Sequence, residues 1–107
     1  MKKNLILVLF AVILTSCMSP PEKEYQAGIA ELNNNNNHAA YIHFSRASSA
    51  MLPEAMYATG YMSYYGIGTS EKPILGMKLI KKAAQAGNKK AIEAMQIFYN
   101  QHTVKPI

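Results

Sequence analysis

Aspartate and tryptophan are absent from the 107 residues, and there is one cysteine, Cys17, and one arginine, Arg46. Without aspartate, acid–base chemistry is left to six glutamates and three histidines. A single cysteine excludes an intramolecular disulfide framework and any zinc site that needs two thiolates. Valine and threonine are scarce, which removes the usual material of strands. The length allows at most one ordinary domain, so a multidomain enzyme is excluded. What is plentiful is apolar residues, at 50%, and lysine, which brings the formal charge to +5.

The apolar residues are unevenly spread. Lys2 and Lys3 precede an unbroken apolar run over residues 5–14, and Thr15, Ser16 and Cys17 follow. A positive start, a short apolar stretch and small residues predict a secretory signal peptide. Ten helical residues rise about 15 Å, half of the roughly 30 Å hydrocarbon core, so a spanning helix is the weaker reading. Leu14, Thr15, Ser16 and Cys17 resemble the lipobox of bacterial lipoproteins. The resemblance implies a diacylglyceryl group on the Cys17 thiol, cleavage just before it, and anchorage of the mature chain to a membrane through that lipid. Met18, in place of an aspartate, implies the outer membrane facing the periplasm in a Gram-negative host. Two or three acyl chains, at about 0.8 kcal/mol per buried methylene, suffice for stable anchorage where one would not. Removal of residues 1–16 leaves 91 residues with nine basic and six acidic side chains, net +3. Ser19, Pro20, Pro21 and Glu22 then form a short tether, in which the prolines favour an extended chain.

From Glu22 onward the sequence is rich in Ala, Met, Lys, Glu and Gln, which predicts an all-α fold. Helices are expected near residues 22–32, 38–51, 54–65, 74–86 and 90–102. Pro53 and Pro73 stand at helix starts, Gly66 and Gly68 break the third helix, and Gly87 with Asn88 ends the fourth. The asparagine run at 33–37 is a connector. Leu75, Leu79, Ile80 and Ala83 recur at helical spacing and are expected to form one apolar stripe.

Short paired helices raise the question of repeats. Ala55, Gly60, the Gly66-Ile67-Gly68 turn, and Lys82-Ala83-Ala84-Gln85-Ala86-Gly87 leading to Ala91 resemble the Sel1-like repeat, a relative of the tetratricopeptide repeat. The step from Ala55 to Ala91 equals one 36-residue period. Downstream, Met95 and Tyr99 resemble part of a further first helix, and this looks like a terminal cap. Upstream, Gly28, Ala40, Phe44 and Ala47 keep tetratricopeptide spacings. The expected organisation is a signal peptide over 1–16, lipidated cysteine and tether over 17–21, and a degenerate repeat over 22–54. A Sel1-like repeat over 55–90 and a capping helix with tail over 91–107 complete it. The resemblance implies a short helical solenoid whose units are stabilised by stacking on their neighbours. The modest core makes self-association into a homo-oligomer one way of adding buried area.

Candidate sites are few. His38 and His43 are five residues apart, a poor spacing for joint metal ligation on one helix, and no metal or cofactor is expected. The lone Gly66-x-Gly68 lacks the strand and third glycine of a dinucleotide site. No catalytic residue is recognisable, and the chain is not expected to be an enzyme. Gly60, Gly66, Gly68 and Gly87 are expected to shape the repeat and its turns. Tyr57, Tyr61, Tyr64 and Tyr65 cluster on one helix and divide between packing and an exposed recognition strip. Charge segregates: residues 17–71 carry net −3 and residues 72–107 net +6. Lys78, Lys81 and Lys82 share one helix face, either a solvated surface or a patch for an acidic protein, anionic lipid or cell-wall polymer. Nucleic acid is not an expected partner of an exported chain. The sequence thus predicts a membrane-anchored interaction or scaffold module of the cell envelope with an envelope protein as partner. A small structural or release-type lipoprotein is the alternative.

Overall fold

The protein is described by a computed structural model covering residues 18–103; the apolar run at 5–14 and Cys17 lie outside the described residues. Five helices follow one another: α1 (Pro20–Asn33), α2 (Asn37–Ser49), α3 (Pro53–Tyr65), α4 (Pro73–Gln85) and α5 (Lys89–Thr103). No strand occurs among the described residues, so the fold is all-α as the composition predicts. None of these helices is long and apolar enough to cross a membrane.

Local chemistry sets the boundaries. Proline occupies the first turn of α1, α3 and α4, where its missing N–H costs nothing. Pro20, Pro21 and Glu22 therefore open α1 instead of forming the extended tether expected from the sequence. The Ser19 amide donates to Glu22 Oε2 at 3.0 Å, closing the start of α1. Asn88 Oδ1 accepts the Ala91 amide at 3.0 Å and caps α5. The asparagine run is shorter as a link than its composition suggests. Asn33 completes α1 and Asn37 opens α2, leaving 34–36 to make the turn, with Asn35 left-handed at φ 62°.

Each helix packs on the one before it, because the connections are short. Two cores result. In the first, Ala40 and Phe44 of α2 meet Met62 of α3, with Tyr25 and Ile29 of α1 against them. In the second, Met56 of α3, Ile80 and Ala83 of α4, and Ala91 and Phe98 of α5 come together. α3 serves both cores and is therefore buried around a wide arc that includes Ala55, Thr59, Gly60 and Ser63. Ala55 and Ala91, one period apart, are both fully buried at the starts of their helices.

The apolar stripe of α4 departs from its expected form. Ile80 and Ala83 are buried and Leu79 half-buried, but Leu75 is 41% exposed and Gly76 takes its place in the packed face. The cause is the α3–α4 crossing. A Cβ on Gly76 would lie 2.5 Å from the Gly60 carbonyl oxygen, so the helices touch backbone to backbone along Gly76 and Leu75 is rotated outward.

The turn between α3 and α4 spans residues 66–72 and reaches back to α2. Gly68, at φ 70°, lies so close to the Asn37 carbonyl that no Cβ would fit. Its own carbonyl accepts a hydrogen bond from His38 Nδ1 at 2.8 Å. This contact ties the two helical hairpins together at one end.

Candidate partner-binding groove

The odd-numbered helices share one side of the array and leave a groove along it. Tyr25, Ile29 and Leu32 of α1 face Tyr57, Tyr61 and Met62 of α3 across a cavity of about 620 Å³. Lys89 and Lys90 at the start of α5 and Glu54 at the start of α3 provide its charges. A second cavity of about 410 Å³ adjoins it, where Tyr57, Tyr61 and Tyr65 face Lys90, Glu93 and Ile97 of α5.

Three tyrosines at i, i+4 and i+8 form a ladder along α3. Ring centroids are 6.1 Å apart for Tyr57–Tyr61 and 4.8 Å for Tyr61–Tyr65, with interplanar angles of 44° and 52°. At these separations neighbouring rings pack on one another, so the ladder is one continuous aromatic surface with tilted faces. Tyr61 and Tyr65 are 42% and 54% exposed. Burial pushes the Tyr57 hydroxyl above its ordinary pKa, and the neighbouring Tyr61, Tyr65 and Glu93 add to this. The Tyr25 hydroxyl is raised for the same first reason, with Glu54 contributing. Both remain neutral donors at physiological pH, so the groove wall offers hydrogen bonds without charge.

The structure separates several residues that the sequence grouped. Tyr64 leaves the strip and packs on Phe98 at 5.0 Å, half-buried in the second core. Lys78, Lys81 and Lys82 are exposed on α4 and do not line the groove. Gly60 sits at the α3–α4 crossing, while Gly66, Gly68 and Gly87 occupy turns with φ of 70°, 70° and 91°. Cys17 lies outside the described residues.

Sequence reasoning passed over Tyr25, Ile29, Leu32 and Ile97. The repeat register held a signal for some of them. Tyr25 precedes Tyr57 by 32 residues, as Gly28 precedes Gly60, and Ile97 follows Tyr61 by one 36-residue period. The histidines have other work. His43 Nδ1 donates to Glu24 Oε2 at 2.7 Å, and His38 holds Gly68. Among the described residues no three His, Cys, Asp or Glu side chains converge on a point where a metal ion would sit.

Comparison with known proteins agrees with this architecture. The Sel1 repeat family model matches residues 53–88, from the first residue of α3 to the cap of α5. No curated protein sequence gives a match. The crystal structure of a Sel1 repeat protein from Oxalobacter formigenes is similar, with a TM-score of 0.70 and 27% sequence identity, over 73% of this chain and 24% of that one. The chain therefore spans about a quarter of the length of that relative. With the helix order, the Gly60–Gly76 crossing and the 36-residue register already in place, residues 53–88 match the Sel1 repeat and the chain folds as a Sel1-like helical array.

Proposed function

We propose that the protein is a membrane-anchored lipoprotein of the cell envelope, a non-catalytic scaffold whose α1–α3–α5 groove takes a segment of an envelope protein. The observation that carries this reading is the tyrosine ladder, which lines two adjoining cavities with partly exposed rings. Tyrosine presents a large rigid surface at little entropic cost and is enriched where proteins meet. Sel1 repeats, which residues 53–88 match, are generally interaction modules. Anchorage is supported by the lipobox-like Leu14, Thr15, Ser16 and Cys17, and the outer membrane facing the periplasm is the proposed location in a Gram-negative host.

The groove is tested by a photo-crosslinker placed at Leu32 in cells, a partly exposed residue of the groove lining, with Tyr61→Ser combined with Tyr65→Ser as the binding-deficient control. Both rings are partly exposed, so helical circular dichroism should survive, while affinity for the captured partner should fall at least about thirty-fold, as for a lost aromatic anchor of about 2 kcal/mol. Capture that is unchanged in the double variant would refute the groove. Recovery of nothing but a second copy of the chain would replace the scaffold reading with a homo-oligomeric structural role. The anchor is tested separately, since Cys17→Ala should abolish palmitate incorporation and leave unprocessed precursor. Labelling that persists would rule the anchor out.

A further inference from the structure

A second surface lies on α4, outside the groove. Ile74 is 87% exposed and Leu75 41%, and Lys78, Lys81 and Lys82 are exposed beside them. At 100° per residue these five side chains fall within one arc of about 120°. The opposite side of the helix, through Gly76, Ile80 and Ala83, is buried. No acidic residue occurs on α4.

No lysine of α4 takes part in an ion pair among the described residues. The glutamates of α1 are all engaged: Glu22 with the Ser19 amide, Glu24 with His43 and Arg46, and Glu31 with Asn36. The ion pairs among the described residues involve His43 and Arg46. The face therefore combines a cationic patch that forms no ion pair with two aliphatic side chains held in water.

We infer that the outer face of α4 docks on an anionic lipid bilayer, with Ile74 and Leu75 entering the headgroup region and Lys78, Lys81 and Lys82 meeting lipid phosphates. The inference rests on the anchored reading above, because a lipid at Cys17 is what keeps this face near a bilayer. Composition favours lipid over protein. The centre of a protein interface is depleted in lysine and needs roughly 800 Å² of surface on each side, whereas a membrane surface accepts isolated aliphatic side chains flanked by lysines. A purely polyanionic partner leaves the exposure of Ile74 and Leu75 without a role. Three lysines close to an anionic surface raise partitioning by about a hundred-fold, and the gain disappears with salt.

The test uses the processed full-length protein, mixed with vesicles of phosphatidylcholine alone or of phosphatidylcholine with phosphatidylglycerol. Flotation reports membrane association, and amine-reactive labelling read by mass spectrometry reports each lysine, with Lys23 of α1 as the internal reference. Flotation with both vesicles, and several-fold protection of Lys78, Lys81 and Lys82 in the anionic ones alone, reversed by salt, is the expected result. The Ile74→Ser, Leu75→Ser double variant should keep its circular dichroism and lose most of that protection. Flotation with both vesicles and equal labelling in each would overturn the α4 face while leaving the anchor standing. Flotation with anionic vesicles alone would support the face and remove the anchor, and flotation with neither would overturn both. Protection produced in neutral vesicles by soluble glycerophosphate would assign the lysines to a free anion instead of a bilayer.

Discussion

In the hairpin formed by α1 and α2 the residue opposite Gly28 is Phe44, whereas in the hairpin formed by α3 and α4 the residue opposite Gly60 is Gly76. A Cβ on Gly28 would lie 2.6 Å from the Phe44 ring; one on Gly60 would lie 2.8 Å from the Gly76 carbonyl oxygen. The first pair of helices is thus spaced by an aromatic ring, and the second closes until backbone meets backbone. The polar contacts differ in the same sense. Glu24 joins His43 and Arg46 across the first hairpin, and Glu31 reaches Asn36 in its turn. The second hairpin is closed mainly by main-chain bonds, with the Lys72 amide donating to the Ser63 carbonyl at 2.7 Å and that of Ile67 to Met62 at 2.8 Å. Side chains hold the degenerate unit together, whereas backbone proximity holds the unit that matches the Sel1 repeat.

The largest effect expected from this contrast comes from removing the ring. Phe44 is 1% exposed, and Phe44→Ala should cost about 3–5 kcal/mol in urea unfolding, a large share of the stability of a domain this small. Next come the glycines. Gly76→Ala should cost about 3 kcal/mol, because its Cβ meets the Gly60 carbonyl and the Tyr64 amide, neither of which can be trimmed. Gly28→Ala should cost about 1–2 kcal/mol and be partly rescued by Phe44→Leu, since its obstacle is a side chain. Equal costs for the two alanines, or rescue of Gly76→Ala by a change at Ile80, would erase the distinction between the hairpins.

The same contrast explains what could be seen in the sequence. All five helices were legible: Pro53, Pro73, Gly66, Gly68 and Gly87 mark the limits of the last three by covalent geometry, and composition with the asparagine run marks the first two. The repeat was legible through its register of small residues. The α4 stripe was misassigned at one position, because apolarity favours Leu75 and gives no weight to a glycine, yet closeness of approach decides which line of the helix is buried. Tyr64 and Tyr65 are adjacent and chemically identical, but they point about 100° apart on the helix, which puts Tyr64 against Gly76 and Phe98 and leaves Tyr65 in the groove. Lys89 and Lys90 belonged to one basic block in the sequence, and the turn at Gly87 parts them from Lys78, Lys81 and Lys82.

A smaller effect should separate two turns with similar backbone and different surroundings. Gly68 and Gly87 both have positive φ, but a Cβ on Gly87 meets nothing within 4 Å, while one on Gly68 runs into Asn37. Gly87→Ala should therefore cost the left-handed penalty alone, about 1 kcal/mol. Gly68→Ala should cost about 2 kcal/mol or more and speed amide exchange at the start of α2, where His38 loses its acceptor. Identical costs and unchanged exchange would mean that the turn does not tie the hairpins together.

The smallest effect is in the alkaline limb of stability. The Tyr25 and Tyr57 hydroxyls are raised above 10 chiefly by burial. The folded state therefore holds these protons more tightly than the unfolded state. Their contribution is complete below about pH 10 and is lost as pH rises through the raised values. Tyr41 moves the other way, lowered first by its hydrogen bond with Ser63, and adds stability as pH climbs toward 10. Above about pH 10 the Tyr41 gain is already complete while the Tyr25 and Tyr57 contributions are being lost, so the tyrosine part of the stability should fall there. In an ultraviolet titration of the phenolate band, Tyr41→Phe should remove the earliest step and Tyr57→Phe one of the latest. A Tyr57→Phe variant that lost an early step would show that its ring is solvated, and the inner wall of the groove would then have to be drawn without it.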